Sequence, residues 1–337
     1  MEIIMKSRTK SHLSEEQIKE LVKVNFGDTF QVGKIKELKG GMFNSAILIE
    51  NQNNSEKMVL KVSVDEKTPI LSYEKATMET EVEVYKLISS QTNIPAPKVL
   101  GWDFSKQYIT CNYFFMTALD GEIMTKVRLS KDNRNEIMEE LANCFASLHK
   151  IKEQYYGYFR EDKELQFKTW KDGFCQMLEM ILSDGRKHGI KLPYDRYEKQ
   201  WKDKSKYFED IKEPVLVNYD LHPGNIFLKK QGEKYVIEGI VDFERAFWGD
   251  AYADFPAAFL FTKDISKEVV FWTAYKKAAG IDHDLTKEEK IRLLFYRLYI
   301  FTIMQVEVYR YGFLYSRLQG SLCRLASNKC LKELEQL

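Results

Sequence analysis

The sequence predicts an α+β chain of two lobes, a small antiparallel sheet with helices followed by a larger, mostly helical lobe. Three observations predict it. Short β-favouring runs, punctuated by Gly-Gly, Asn and Pro clusters, crowd residues 1–118. Helical periodicity dominates residues 119–337, interrupted by a patch of short apolar strands at 214–243. A chain of 337 residues is also long enough to bury two cores.

The elements follow in order. Ser14-Glu15-Glu16-Gln17 is a capping box, and Ile18, Leu21, Val22 and Phe26 then share one helical face until Gly27 stops the helix. Strands are expected at 30–38, 44–50 and 57–64. Lys39-Gly40-Gly41-Met42-Phe43 joins the first two, and paired glycines let a hairpin backbone approach a ligand closely. Lys61 stands inside the apolar run Val59-Leu60-Lys61-Val62, so its amine must find a partner or water. The helix expected at 74–89 carries Glu81 as the preferred partner, with Glu79 and Glu83 as rivals. Ile94-Pro95-Ala96-Pro97 ends that helix, because a residue before proline avoids the α region. Strands at 98–103 and 107–116 lead to Thr117-Ala118-Leu119-Asp120-Gly121, read as a hinge. Helices are then expected at 132–150, 165–181, 196–209, 267–279, 287–311 and 314–334. His149, at the end of the first of these, reads as a packed residue or a helix-dipole partner.

The chemistry concentrates in Val217-Asn218-Tyr219-Asp220-Leu221-His222-Pro223-Gly224-Asn225, followed by Ile240-Val241-Asp242-Phe243-Glu244. One apolar strand delivers Asp220 to a tight loop, Asn225 follows within it, and a second strand delivers Asp242. A base, a metal-binding amide and a metal-binding carboxylate are what phosphoryl transfer requires, since its catalysis is mostly positioning and charge neutralisation by Mg²⁺. The Asp-Leu-x-x-x-Asn spacing is that of a kinase catalytic loop. No Walker A pattern occurs, and neither do the Gly-x-Gly-x-x-Gly, Asp-Phe-Gly and Ala-Pro-Glu signatures of protein kinases.

Composition narrows the partners. With 51 basic and 50 acidic residues, nothing points to nucleic acid or an anionic membrane. Five scattered cysteines without C-x-x-C spacing read as reduced thiols, and no signal peptide or apolar span is visible. A cytoplasmic monomer or weak homodimer is expected.

With these residues in hand, the chain resembles the aminoglycoside phosphotransferase and choline kinase-like family over about residues 14–320. The resemblance rests on Leu38-Lys39-Gly40-Gly41-Met42-Phe43-Asn44, on Lys61 and Glu81, and on Ile94 to Leu100. It continues through Phe115 to Gly121, Leu148-His149, Asp220 to Asn225, Asp242, and Gly249-Asp250 through Asp254. It implies a bilobal protein-kinase-like fold and the use of ATP, with GTP as the alternative, together with Mg²⁺. The implied nucleotide residues are Gly40, Gly41, Asn44, Ser45, Lys61, Glu81, Met116, Thr117 and Leu119. Asn225 and Asp242 would hold the metal, and Asp220 would act on an acceptor hydroxyl. The implied acceptor is a small molecule, an aminoglycoside or similar amino-sugar foremost, with choline, methylthioribose or homoserine as alternatives. A non-catalytic nucleotide-binding protein is the reading from another class. Glu244, Asp282, Asp284 and Glu307 are the acceptor-side candidates, with Asp162 and Glu164 behind them. Asp250 and Asp254 are expected to brace the loop or cap a helix. Where the family carries His-Gly before the catalytic Asp, this chain has Asn218-Tyr219, and tyrosine lacks glycine's backbone freedom.

Overall fold

The computed structural model describes residues 11–38, 43–159 and 162–337. Gly40, Gly41 and Met42 of the expected nucleotide loop lie outside these residues.

The first lobe is built on α1 (Glu15–Phe26) and a five-stranded sheet. The capping box forms as expected: Ser14 Oγ accepts from Gln17 N–H at 3.2 Å and Gln17 Oε1 accepts from Ser14 N–H at 2.9 Å. The strands are β1 (Val32–Glu37), β2 (Ser45–Asn51) and β3 (Lys57–Val62), then β4 (Val99–Asp103) and β5 (Tyr113–Thr117) after α2 (Thr77–Gln91). They order as β1-β2-β3-β5-β4, every pair antiparallel. Side-chain alternation sorts β3 between two cores. Met58, Leu60 and Val62 join Ile18, Leu21 and Val22 of α1 on the outer face. Val59 packs on the opposite face with Val82, Tyr85 and Ile88 of α2, and Lys61 shares its parity. A lysine in an apolar strand is thereby turned toward the second lobe.

In the first lobe, two boundaries differ most from expectation. α2 begins at Thr77, because Ala76 adopts a left-handed conformation (φ 56°) that separates the helix from a short 3₁₀ turn at Ser72–Glu74. Residues 107–112 do not extend β5. Asn112 instead exchanges bonds with Ser63, accepting from its N–H (2.9 Å) and donating its own to the Ser63 hydroxyl (3.0 Å).

The second lobe runs β6 (Glu122–Ile123), α3 (Lys131–Leu148), β7 (Gly157–Tyr158), α4 (Trp170–Lys187) and α5 (Tyr194–Lys204). It continues with β8 (Val215–Val217), β9 (Ile226–Gln231), β10 (Lys234–Ile240), β11 (Phe247–Gly249) and α6 (Asp254–Ala258). It ends with α7 (Val269–Ala279), α8 (Lys287–Val306) and α9 (Phe313–Gln336). The short strands form two sheets, β10-β9-β6 and β7-β11-β8. β6, β7 and β11 are too short for their alternation to be legible in sequence. Where a strand was expected to reach Phe243, β10 ends at Ile240 because Asp242 takes φ 71°. Gly121 is required at the hinge: a Cβ there would stand 2.3 Å from the Leu228 carbonyl oxygen.

The 3₁₀ turn before α2 ties the first lobe to the second. Ser72 donates from its backbone N–H (2.6 Å) and its hydroxyl (2.8 Å) to the two carboxylate oxygens of Asp184 on α4. Tyr309 OH reaches the Pro69 carbonyl at 3.3 Å. The Asp184 carboxylate is buried, so Asp184→Ala removes both acceptors and should cost about 1–3 kcal/mol, read as a lower urea midpoint.

Candidate active site

β3 and α2 supply the first half of the cleft. Lys61 Nζ lies 2.6 Å from Glu81 Oε2, 2.8 Å from Asp242 Oδ1 and 3.5 Å from Glu244 Oε2. Of the rival glutamates, Glu79 accepts from Asn112 and Glu83 is exposed. The Asn44 side-chain N–H donates to Glu244 Oε2 at 2.7 Å, so the end of the nucleotide loop meets this cluster.

The second half comes from β8 and β10. The Asn225 side-chain N–H donates to the Asp220 carbonyl at 2.9 Å, so its Oδ1 is not used in that bond. Val241 N–H donates to the Asn225 carbonyl at 2.9 Å, fixing the loop that carries Asn225 to the segment that carries Asp242. Tyr219 takes φ 63°, a conformation costing a non-glycine residue roughly 1–2 kcal/mol. Asp254 compensates. Its carboxylate accepts the N–H of Tyr219 (2.6 Å) and of Asn218 (3.2 Å), and lies 2.9 Å from His149 Nε2. The Tyr219 ring is buried, with its hydroxyl donating to the Tyr296 carbonyl at 2.8 Å. Asn218 Oδ1 accepts the Asp220 N–H at 2.9 Å. A tyrosine therefore stands in the turn because side-chain packing and a buried carboxylate hold its backbone. His149 is part of that brace, and Asp250 binds Arg292 and Tyr296.

Electrostatically the cleft holds more buried carboxylate than cation. Burial pushes Glu81 up to about 8 despite Lys61. Burial likewise pushes Asp220 up to about 8, with Arg245 opposing and Asp242 and Glu244 adding to the rise. Glu244 is raised by burial and by Asp242. Burial works against the Lys61 charge, but Asp242, Glu81 and Glu244 outweigh it and hold the ammonium well above its ordinary range. Asp242 alone is lowered: burial opposes ionisation and Lys61 overcomes it. Oxygens of Glu81, Asp242 and Glu244 all lie within 4.8 Å of one another, and Glu81 Oε1 and Asn44 Oδ1 are buried without a hydrogen-bond partner. A hard, oxygen-seeking dication suits such a donor set.

On the acceptor side, Arg245 Nε lies 3.7 Å from Asp220 Oδ2, and its terminal nitrogen lies 3.0 Å from Glu307 Oε1. Tyr73 OH also donates to that glutamate oxygen. α8 stops at Val306, and a tight turn at Glu307–Arg310 aims Glu307 and Arg310 back at the first lobe. There Arg310 forks onto Glu74 with two bonds of 2.8 Å. Tyr73, Glu74, Arg245 and Arg310 were not among the expected site residues. Arg245, set with Glu244 between Phe243 and Ala246-Phe247, carried a readable signal; the others meet only through the cross-lobe turn.

Several expected residues lie elsewhere. Asp282 and Asp284 are exposed in the α7–α8 connection, where Asp284 pairs with Lys276 at 3.5 Å. α8 spans about 30 Å, and Glu307 is at its other end. Asp162 and Glu164 are exposed. Ser45 shares the outer face with Ile47 and Ile49, its hydroxyl donating to the Ser11 carbonyl at 2.7 Å. At the hinge, Thr117 N–H donates to the Lys98 carbonyl at 3.0 Å, so its own carbonyl is what Thr117 can offer a base. Met116 is buried beneath the hinge, and the Leu119 methyls pack over Gly239.

If Asp254 holds the Asp220 turn, Asp254→Ala should cost about 3–5 kcal/mol by stranding two buried N–H groups and His149. Asp254→Asn, which keeps one acceptor oxygen, should cost less. Urea denaturation of both variants measures the difference.

Comparison with known proteins bears on the fold. In fold, the chain is similar to a protein proposed to be an aminoglycoside phosphotransferase from Ralstonia eutropha JMP134. Their TM-score is 0.67 at 12% identity, covering 96% of this chain and 99% of that one. It is similar to a protein proposed to be a fructosamine-3-kinase from Haemophilus somnus 129PT, with TM-score 0.64, 18% identity, and 92% and 97% covered. A thermostable mutant of aminoglycoside phosphotransferase APH(4)-Ia, in ternary complex with AMP-PNP and hygromycin B, gives TM-score 0.62 at 14% identity, with 94% and 98% covered. A search of curated proteins finds no match. The model of the phosphotransferase enzyme family matches residues 34–284, and the chain belongs to that family of bilobal small-molecule phosphotransferases.

Proposed function

We propose that the chain transfers the γ-phosphoryl group of ATP to a hydroxyl of a small molecule, with Mg²⁺. The observation that carries this reading is the convergence of Lys61, Asp242 and Asn225 with Asp220 in one cleft between the lobes. Adenine would meet the Thr117 carbonyl and the Leu119 backbone at the hinge. Lys61, held by Glu81, would bind the α and β phosphates. Asn225 and Asp242 would hold Mg²⁺, with Glu244 a further oxygen donor. When bound, the metal neutralises phosphate charge and fixes the γ-phosphoryl geometry. Asp220 would orient the acceptor hydroxyl and take its proton as the new P–O bond forms and the bond to the β-phosphate oxygen breaks. Free buried and half-buried cysteines and dependence on ATP fit a cytoplasmic setting.

For the acceptor, an aminoglycoside has the support of the neighbour that binds hygromycin B. One observation favours a second reading. A polycation needs unpaired carboxylates, and the glutamates on the Arg245 side of the cleft are already matched: Glu307 with Arg245, and Glu74 with Arg310, while Glu244 faces Lys61. A neutral or singly charged acceptor, such as a sugar or amino alcohol, fits that balance better.

Asp220→Asn should lower turnover by about 10²–10⁴ while leaving Mg·ATP affinity nearly unchanged; turnover near wild type would remove Asp220 from its role. Asp242→Ala should abolish the Mg²⁺-dependent part of the thermal shift given by ATP. An ATP-consumption screen over aminoglycosides, sugars and amino alcohols should find its highest kcat/KM among acceptors with at most one amino group.

A further inference from the structure

Away from the cleft, a cavity of about 270 Å³ opens between α6, the turn that follows it, α8 and the end of α9. Phe255, Phe259, Ile265, Leu285 and Leu293 give it apolar walls. Arg297 of α8 enters it among them. Among the described residues that guanidinium forms no ion pair; it donates to the Thr262 carbonyl. The nearby acids are engaged elsewhere. Glu333 pairs with Lys263 at 3.0 Å, and one Asp264 oxygen accepts the N–H (3.0 Å) and hydroxyl (2.7 Å) of Ser266. Lys267 and Lys290 add two exposed cations to the rim. Phe261, next to the lining residue Thr262, is 98% exposed.

Each feature asks for something different of an occupant. An arginine stays charged, so one that is partly desolvated without a counter-ion is unfavourable until an anion arrives. Burial holds Arg297 below its ordinary range against the pull of Cys330, Glu333 and Asp264. A carboxylate matches the guanidinium fork with two parallel bonds. The apolar walls gain from covering an apolar ligand body and removing it from water. At ~30 Å³ for each water-sized unit, the cavity takes on the order of nine heavy atoms. α8 climbs ~15 Å from Arg297 to Glu307, which places the cavity outside the catalytic cleft.

We propose that this cavity is a second ligand site, binding a small carboxylate with an apolar body, its carboxylate on Arg297 and its body against Phe255, Phe259 and Leu293. Titration calorimetry of the full chain with octanoate, octanol, octylamine and acetate tests it. Octanoate should bind at least tenfold more tightly than each of the other three. Arg297→Gln should weaken octanoate at least tenfold, and Leu293→Trp, which fills the cavity, should abolish its heat. Should Arg297→Gln fail to melt cooperatively, the exposed pair Lys267→Glu and Lys290→Glu supplies the charge test, with an expected severalfold loss. Equal binding of octanol and octanoate would reduce the site to a greasy groove. No octanoate heat at millimolar concentration, or unchanged affinity in the folded charge variants, would overturn the proposal.

Discussion

Lys61 stands where both lobes converge, its ammonium within 3.5 Å of carboxylates from α2 and from the segment after β10. Much of the architecture serves that placement. The apolar neighbours of Lys61 commit β3 to lie between two cores, so its side chain turns to the face that meets the second lobe. Glu81 comes from the second turn of α2, a helix fixed against the same face by Val82, Tyr85 and Ile88. Asp242 arrives from the other lobe. Three carboxylates around one ammonium leave net negative charge in a buried place, which is unfavourable unless a further cation joins. Burial and the neighbouring carboxylates raise both Glu81 and Glu244.

A second constraint operates on the backbone. Tyr219 and Asp242 both take positive φ without being glycine, one beside Asp220 and the other in contact with Lys61. Such strain persists only where the surroundings over-determine it. For Tyr219 the surroundings are Asp254, His149 and a buried ring pocket. For Asp242 they are the Lys61 contact and the hydrogen bond from its N–H to Tyr85 OH at 3.3 Å. The substitution of Asn218-Tyr219 for His-Gly is accommodated by packing rather than by backbone freedom. The cross-lobe turn at Ser72–Glu74 adds a third tie, carrying Tyr73 to Glu307 and Glu74 to Arg310. The two lobes are therefore joined through side chains as well as through the hinge.

The sequence by itself determined the α+β fold class, most of the longer elements and the motif residues that the structure brings together around Lys61 and Asp220. The reason is local: capping boxes, strand alternation, Gly-Gly and Pro-Gly turns, and the Asp-Leu-x-x-x-Asn spacing are each contained within a few residues. Tertiary structure decided everything that depends on distance along the chain. It selected Glu81 over Glu79 and Glu83, turned Glu244 inward, and left Asp282 and Asp284 at the far end of α8. It matched Glu307 with Arg245 and Glu74 with Arg310, pairs separated by 62 and 236 residues. Charge pairing of this kind follows from which surfaces meet when the cores close, and no local pattern of residues encodes it.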